Sequence, residues 1–338
     1  MKNSVTIHEV SRRAGVSLST VSRVLNDNAN VNADMRERVL RAVEDLGYRP
    51  NLAAQALKTS RSRMIVFLIP EISNPYYTET YRGIHSVAQQ RGYVTLIYES
   101  DDVDAAVQSI LMRGADGVLI DAVFGNESKE LLVAAEIPFV QTNVPARRNL
   151  IENIVCVDVY GATLEVLEYL HSMGHTRIGL IDSRTSGGKM DERERAFRDH
   201  AAAQGLLYPE RFIAMTVVAS TDKYSGGFAG MCELIERNVG ITAVVALNDM
   251  VSLGAIAGAR SLGKSVPSDI SLVGFDDADI ARYTTPPLTT VRIPTFRQGE
   301  VAAGMLFDLI EHPEEPLRSV QIPTELVVRE SVRKINHT

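Results

Sequence analysis

The 338-residue sequence predicts a small all-α head containing a helix-turn-helix, followed by a much larger α/β body of two lobes, each an open parallel sheet. Three observations predict this division. The first 60 residues break into short helices, each with an apolar stripe and a capping residue at its start. From Met64 onward, short β-rich apolar runs alternate with helical stretches. That alternation occurs in two series of similar rhythm, and a chain of this length exceeds one ordinary domain.

In the head, Thr6-Ile7-His8-Glu9 fits a capping box, in which the Thr6 hydroxyl and the Glu9 carboxylate satisfy free amides at a helix start. Ile7, Val10 and Ala14 then share one helical face, and Gly15 stands where a tight turn needs a positive φ. Ser17 can cap a second helix, Leu18 to Leu25, whose Val21, Val24 and Leu25 turn inward. Asn32 can cap a third, with Met35, Val39, Val43 and Leu46 as its stripe and Gly47 as its stop. Two short helices joined by a glycine-containing turn and braced by a third make a helix-turn-helix. The same cluster also serves as a plain packing module, so the pattern alone leaves its role open. After Pro50, the segment Asn51–Thr59 consists of good helix formers but is too short to be stable alone in water. It is a linker, or a helix that forms only against a partner.

The formal net charge of −7 argues at first against a nucleic-acid partner. Its distribution argues the other way. Residues 1–63 carry 11 Lys/Arg against 6 Asp/Glu, whereas the remainder carries 24 against 36. A basic head on an acidic body concentrates attraction for phosphate at one end.

In the body, MIVFLIP, YVTLIY, DGVLID and IPFVQTN form the first strand series, with helices through 83–88 and over 103–113. The second series follows Asp158: a helix over 161–173, RIGLID, a helix near 191–204, FIAMTV, a helix over 226–237, AVVALND, a helix over 250–262 and SLVGFDD. Open α/β sheets bind ligands outside the carboxyl ends of their strands. Those ends carry Asn74, Tyr76 and Tyr77; Arg184, Lys189 and Arg193; Asn248 and Asp249; and Asp276 and Asp277. Carboxylates, amides and arginines pair with hydroxyls, and aromatic faces stack on rings. Blander roles stand beside these: Asp249 is expected to cap a helix, Asp277 to be solvated, and Tyr76 and Tyr77 also suit a core or an interface. Lys189 with Arg193 hints at a phosphorylated or carboxylated ligand.

The run VTIHEVSRRAGVSLSTVSRVLN, followed by LGYRPNLAAQALKTSRS, resembles the DNA-binding head and hinge of the lactose-repressor/galactose-repressor (LacI–GalR) family, and the likeness extends along nearly the whole chain. It implies a helix-turn-helix DNA-binding domain at 1–50, a hinge helix at 51–62 and a periplasmic-binding-protein-like effector domain at 63–338. Within the last, the N-lobe is expected at about 63–159 and 292–320, and the C-lobe at about 160–291 and 321–338. In such a head the second helix enters the major groove with its N-terminal side chains on base edges. Leu18 then offers apolar contact, Ser19 a tolerant hydroxyl, and Arg23 a bidentate contact to guanine. Thr6, Ser17, Thr20, Ser22 and Asn26 suit phosphate oxygens, fixing register without reading sequence. Tyr48 and Asn51 fall in the same matched motif. In the hinge, Leu57 matches a leucine that wedges between base steps in the minor groove, and Ala54 matches a small residue that permits close approach. The resemblance also assigns Arg193, Asn248 and Asp276 to effector-binding positions, Tyr76 and Tyr77 to pocket aromatics, and, more weakly, Asp158.

The function so implied is that of a cytoplasmic transcription regulator, a repressor of a catabolic operon. As a homodimer it reads a pseudo-palindromic operator under allosteric control by a small polar effector, a sugar or sugar derivative. A nucleobase or sugar-phosphate co-repressor and a non-regulatory sugar-binding protein are the alternatives. The chain stops at RKINHT without a leucine heptad, which favours a dimer over a tetramer, and its start lacks the pattern of a secretory signal. No cofactor, metal or membrane partner is expected, and Cys156 and Cys232 stand in no metal-like spacing. Enzyme motifs fail in detail. His171 and His175 have no accompanying ligand, SGGK lacks the remainder of a phosphate loop, and no GxSxG elbow occurs.

Overall fold

The computed structural model describes residues 5–25, 31–48, 61–121, 126–142, 153–183, 190–205, 209–216 and 222–335. The chain divides into two compact units, Met1–Ser62 and Arg63–Thr338.

The first unit holds α1 (Ile7–Ala14), α2 (Leu18–Leu25) and α3 (Ala33–Leu46). The capping box is present: the Thr6 backbone N–H donates to Glu9 Oε2 at 2.7 Å, and the Glu9 N–H to Thr6 Oγ1 at 3.4 Å. Gly15 closes α1 at φ +64°, and a Cβ there would lie 2.7 Å from Arg38 Nη2. That Arg38 nitrogen donates to the carbonyls of Ala14 and Gly15 at 2.6 and 3.0 Å, tying α3 to the turn between the first two helices. Asn32 caps α3 by accepting from the Asp34 N–H, and Gly47 ends the helix in the left-handed region. Val10, Ala14, Val21, Val24, Val39 and Ala42 form the core, with Ile7, Leu25, Val43 and Leu46 packed against it. Met35, expected in the stripe of α3, is instead 41% exposed.

The second unit is two lobes. The N-lobe runs through β1 (Met64–Ile69), α4 (Pro75–Gln90), β2 (Val94–Glu99), α5 (Val103–Arg113), β3 (Gly117–Ile120), α6 (Asn126–Ala134), β4 (Phe139–Thr142) and β5 (Ile154–Val157). The chain then enters the C-lobe with α7 (Val159–Ser172), β6 (Ile178–Ser183), α8 (Glu192–Ala203), β7 (Ile213–Thr216), α9 (Lys223–Glu236), β8 (Ala243–Ala246), α10 (Asp249–Ser261), β9 (Ser271–Asp276) and β10 (Thr289–Arg292). It returns for α11 (Thr295–Glu311) and β11 (Ser319–Ile322), and crosses again to add β12 (Glu325–Val327). The strand orders are β11-β5-β4-β3-β1-β2 and β12-β10-β9-β8-β6-β7. The N-lobe sheet is parallel throughout, whereas β12 lies antiparallel on β10 and so departs from the expectation of two wholly parallel sheets.

The three crossings are neighbours. Val157 pairs with Ile322 where two of them leave the N-lobe sheet, and Arg292 pairs with Glu325 where two of them meet the C-lobe sheet. Helices cover both faces of each sheet, so central strands such as MIVFLI and AVVA are continuously apolar rather than alternating. In the C-lobe, α9 and α10 touch through glycines. A Cβ on Gly227 would lie 1.9 Å from the Val251 carbonyl oxygen, and one on Gly254 1.9 Å from that of Tyr224. This contact sets the positions of Lys223 and Asp249, the first residues of the two helices. Among the described residues no helix is long and apolar enough to cross a membrane.

Candidate functional site

Two places in the molecule collect polar side chains without a folding reason for their number. The first is the start of α2. Burial of Val21 and Val24 fixes the roll of this helix and leaves Ser17, Leu18, Ser19 and Arg23 exposed. The Thr20 N–H donates to Ser17 Oγ at 3.1 Å, and the Ser17 hydroxyl also lies 2.8 Å from that of Ser19 and 2.9 Å from that of Thr20. Three hydroxyls thus cluster at a helix N-terminus, where the helix dipole favours negative charge. Thr6 is exposed but already committed to its capping box, Ser22 is half-buried, and Tyr48 packs against the head core. Asn26, Asn51, Ala54 and Leu57 lie outside the described residues, as does most of the expected hinge.

The second place is where the carboxyl ends of the two sheets face each other. From the N-lobe, Asn74 caps α4 and so places Tyr76 and Tyr77 in its first turn. Tyr76 is buried, and its hydroxyl donates to Gln298 Oε1 on α11 at 3.0 Å and to Asp121 Oδ2 at 3.4 Å; the Thr142 hydroxyl donates to the same Asp121 oxygen at 2.5 Å. Tyr77 is half-buried and meets the Tyr76 ring edge-on at 5.1 Å. Burial and the nearby carboxylate of Asp121 hold both phenols well above their ordinary pKa.

From the C-lobe, Arg193 sits in the first turn of α8, its guanidinium 4.7 Å from the centre of the Phe275 ring and its Nη1 donating to Asp191 Oδ1 at 3.1 Å. Asp276 ends β9 at φ +104°, a left-handed position in which a non-glycine residue is strained. Burial pushes its pKa up to about 6 against the pull of Arg193, with Asp121 of the opposite lobe adding to the rise. Asp276 and Arg193 also act on Tyr77. The sequence-assigned Tyr76, Tyr77, Arg193 and Asp276 therefore converge from two lobes. Among the described residues, an ion pair bridges the lobes directly: Lys223 Nζ lies 3.5 Å from Glu71 Oε2, both largely buried.

Other strand-end residues have structural employment. Asn248, not Asp249, caps α10, its Oδ1 accepting from the Val251 N–H at 2.9 Å. Asp249 accepts instead from the Thr290 hydroxyl at 2.6 Å and the Ala278 N–H at 2.8 Å, pinning β10 and the turn after β9. Asp158 caps α7 through the Gly161 N–H. Asp277 is not solvated: its side chain is 2% exposed, held by Arg292 Nε at 2.8 Å and by Arg329. Both aspartates at 276–277 have positive φ, so the chain turns there. His175 is fully buried between the Thr242 hydroxyl and the Arg333 carbonyl, each 3.0 Å away, and serves packing. Arg184 and Lys189 lie outside the described residues.

Sequence reasoning missed Glu71, Asp121, Asp182, Asp191, Lys223 and Gln298. A signal existed for two of them: GVLID and IGLID each bring an aspartate to the carboxyl end of a strand, Asp121 just after β3 and Asp182 next to the last residue of β6.

Comparison with known proteins agrees with this division. Residues 6–51 match the family described as bacterial regulatory proteins, lacI family, and residues 167–332 match a periplasmic binding protein-like domain. The chain is 32% identical to the HTH-type transcriptional regulator GalS of Salmonella typhimurium over 89% of this chain and 88% of that protein. Among solved structures, the lac repressor dimer bound to operator and the anti-inducer ONPF superposes with a TM-score of 0.84 at 25% identity, covering 98% of this chain and all of that one. A complex of the transcriptional regulator CelR with cellobiose gives a TM-score of 0.71 at 28% identity, over 97% of this chain and 99% of that one.

Proposed function

The chain belongs to the LacI family of bacterial regulatory proteins and is a DNA-binding transcription regulator, and on that footing we propose that α2 reads an operator half-site while a small polar effector seated between the lobes sets the grip. The observation that carries the first part is the roll of α2, which buries Val21 and Val24 and turns Leu18, Ser19 and Arg23 outward. Arg23 takes the role of a bidentate guanine reader, and Ser17, Thr20 and Thr6 that of phosphate contacts. A twofold dimer places two such helices on a pseudo-palindrome. The effector, a sugar or sugar derivative, contacts Tyr76, Tyr77, Arg193 and Asp276; Asn248 and Asp158 border it while capping their helices.

The regulatory logic is linkage. An effector that prefers one setting of the lobes shifts the population of DNA-competent heads by its differential affinity, and a coupling of about 1–3 kcal/mol suffices. Replacing Arg23 with alanine tests the reading face. Discrimination between an enriched genomic fragment and bulk DNA should fall about tenfold or more, corresponding to about 1–3 kcal/mol, while salt-dependent binding to bulk DNA persists. Equal loss on both DNAs would remove Arg23 from base reading.

A further inference from the structure

Asp182 lies at the carboxyl end of β6, is fully buried, and has no hydrogen-bond partner on either carboxylate oxygen. The charged groups facing it are Asp191, Arg193 and Glu194, from α8 and its cap, with Asp276 of β9 beyond Arg193. None relieves it. Arg193 spends Nη1 on Asp191, and Glu194 is held by Arg198. At the cleft, two buried donors are unpartnered as well: Arg193 Nε in the same lobe, and Gln298 Nε2 in the N-lobe, whose amide oxygen takes the Tyr76 hydroxyl. Leaving such a group unsatisfied is costly, so folded proteins keep few of them. Here an acceptor pair and a donor feel each other electrostatically without pairing, toward the strand ends of the cleft.

We propose that Asp182 is a specificity-determining effector contact, its carboxylate receiving hydroxyl protons from a neutral polyhydroxylated ligand whose oxygens accept from Arg193 Nε. The proposal rests on the effector-cleft reading above. A hydroxyl donates and accepts at once, and so satisfies both kinds of orphan. A phosphate or carboxylate only accepts, and would face Asp182, Asp276 and Asp121 with an arginine already committed to Asp191. An ammonium only donates, and would meet Arg193. The anionic ligand suggested by Lys189 and Arg193 is thereby disfavoured.

The test uses the purified full-length protein and isothermal titration with D-ribose, D-galactose and cellobiose, alongside ribose 5-phosphate, galactose 6-phosphate, galacturonate and galactosamine. A neutral sugar should bind at least tenfold more tightly than its charged counterparts. Asp182→Asn, which keeps the side chain's shape, should weaken that sugar at least tenfold and leave ligand-free DNA binding unchanged. Tightest binding by a phosphate, an acid or an amine overturns the proposal, as does an Asp182→Asn protein that binds the neutral sugar as well as the wild type. A sugar that binds through Asp182 yet never alters DNA binding instead strikes at the regulatory reading and leaves the contact standing.

A second measurement needs no ligand. Burial, with the Asp191 carboxylate beside it, pushes the Asp182 pKa up to about 8, whereas an unfolded aspartate ionises near 4. Because the folded state keeps this proton longer, the wild type should lose stability relative to Asp182→Asn as pH rises from about 4 to about 8. The two proteins should melt alike at the acid end and several degrees apart at the alkaline end. A constant difference across that range overturns the unpartnered carboxylate on which the proposal stands.

Discussion

The start of α2 and the facing strand ends of the two lobes both gather polar side chains, but they keep them in opposite conditions. At α2 the hydroxyls of Ser17, Ser19 and Thr20 satisfy one another within three residues, and Leu18 and Arg23 stand in solvent. At the strand ends Asp121, Asp182, Asp276 and Gln298 are buried, and partners come from far away: Tyr76 meets Gln298 across 222 positions. A surface that reads DNA needs no desolvation before its partner arrives, since phosphate and base edges supply the remaining bonds. A cleft that discriminates among small polar molecules gains selectivity from groups already stripped of water, because a ligand lacking the matching hydrogen leaves them unpaired. The difference is between a face that waits in water and a cavity wall that has already left it.

The comparison can be broken most forcefully at the turn that supports the exposed face. Gly15→Val places a β-branched residue at φ +64° against Arg38, costing about 1–2 kcal/mol for the backbone alone. Binding to DNA fragments should fall well over tenfold, while the melting of the body, followed calorimetrically, stays in place. A smaller effect is expected on the buried side. Asp276→Asn removes a charged acceptor, a change worth about 1.5–3 kcal/mol, so the ligand concentration for half-maximal change in DNA binding should rise about tenfold or more with ligand-free affinity intact. An unchanged response would place the effector elsewhere. The smallest effect belongs to the ion pair across the lobes. Lys223→Met and Glu71→Gln, combined in a double-mutant cycle, should show a small favourable coupling in melting, since the 3.5 Å separation exceeds an ideal charged hydrogen bond. A coupling of zero would show that the lobes set their spacing without it.

What was legible in the sequence follows the same divide. The capping box at Thr6, the positive φ at Gly15, the inward faces of α1 and α2 and the two strand–helix series depend on neighbours within a few residues, and each is present as read. The misreadings depend on distant partners. Asp277 looked solvated because Arg292 and Arg329 lie 15 and 52 positions away. Asp249 looked like a cap because its true acceptor role serves Thr290, 41 positions on. Met35 fits the stripe of α3 by period, but it lies in the first turn of that helix, which is exposed. Asp182 was passed over because nothing local distinguishes a strand-end aspartate that finds a partner from one that does not. The family motifs carried Arg193 and Asp276, which periodicity alone would have left as surface charge and strand cap.

Three adjacent crossings between the lobes, with Val157 paired to Ile322 on one side and Arg292 to Glu325 on the other, have a mechanical corollary. Three short tethers side by side cannot all lengthen, so pulling the lobes apart is stiff, whereas swinging one about the line of tethers bends each only slightly. Arg292, bonded to both Asp277 and Glu325, rivets that line, and Asp277 is the chain neighbour of Asp276. The line about which the lobes can swing and the residue proposed above to meet the effector are one peptide bond apart.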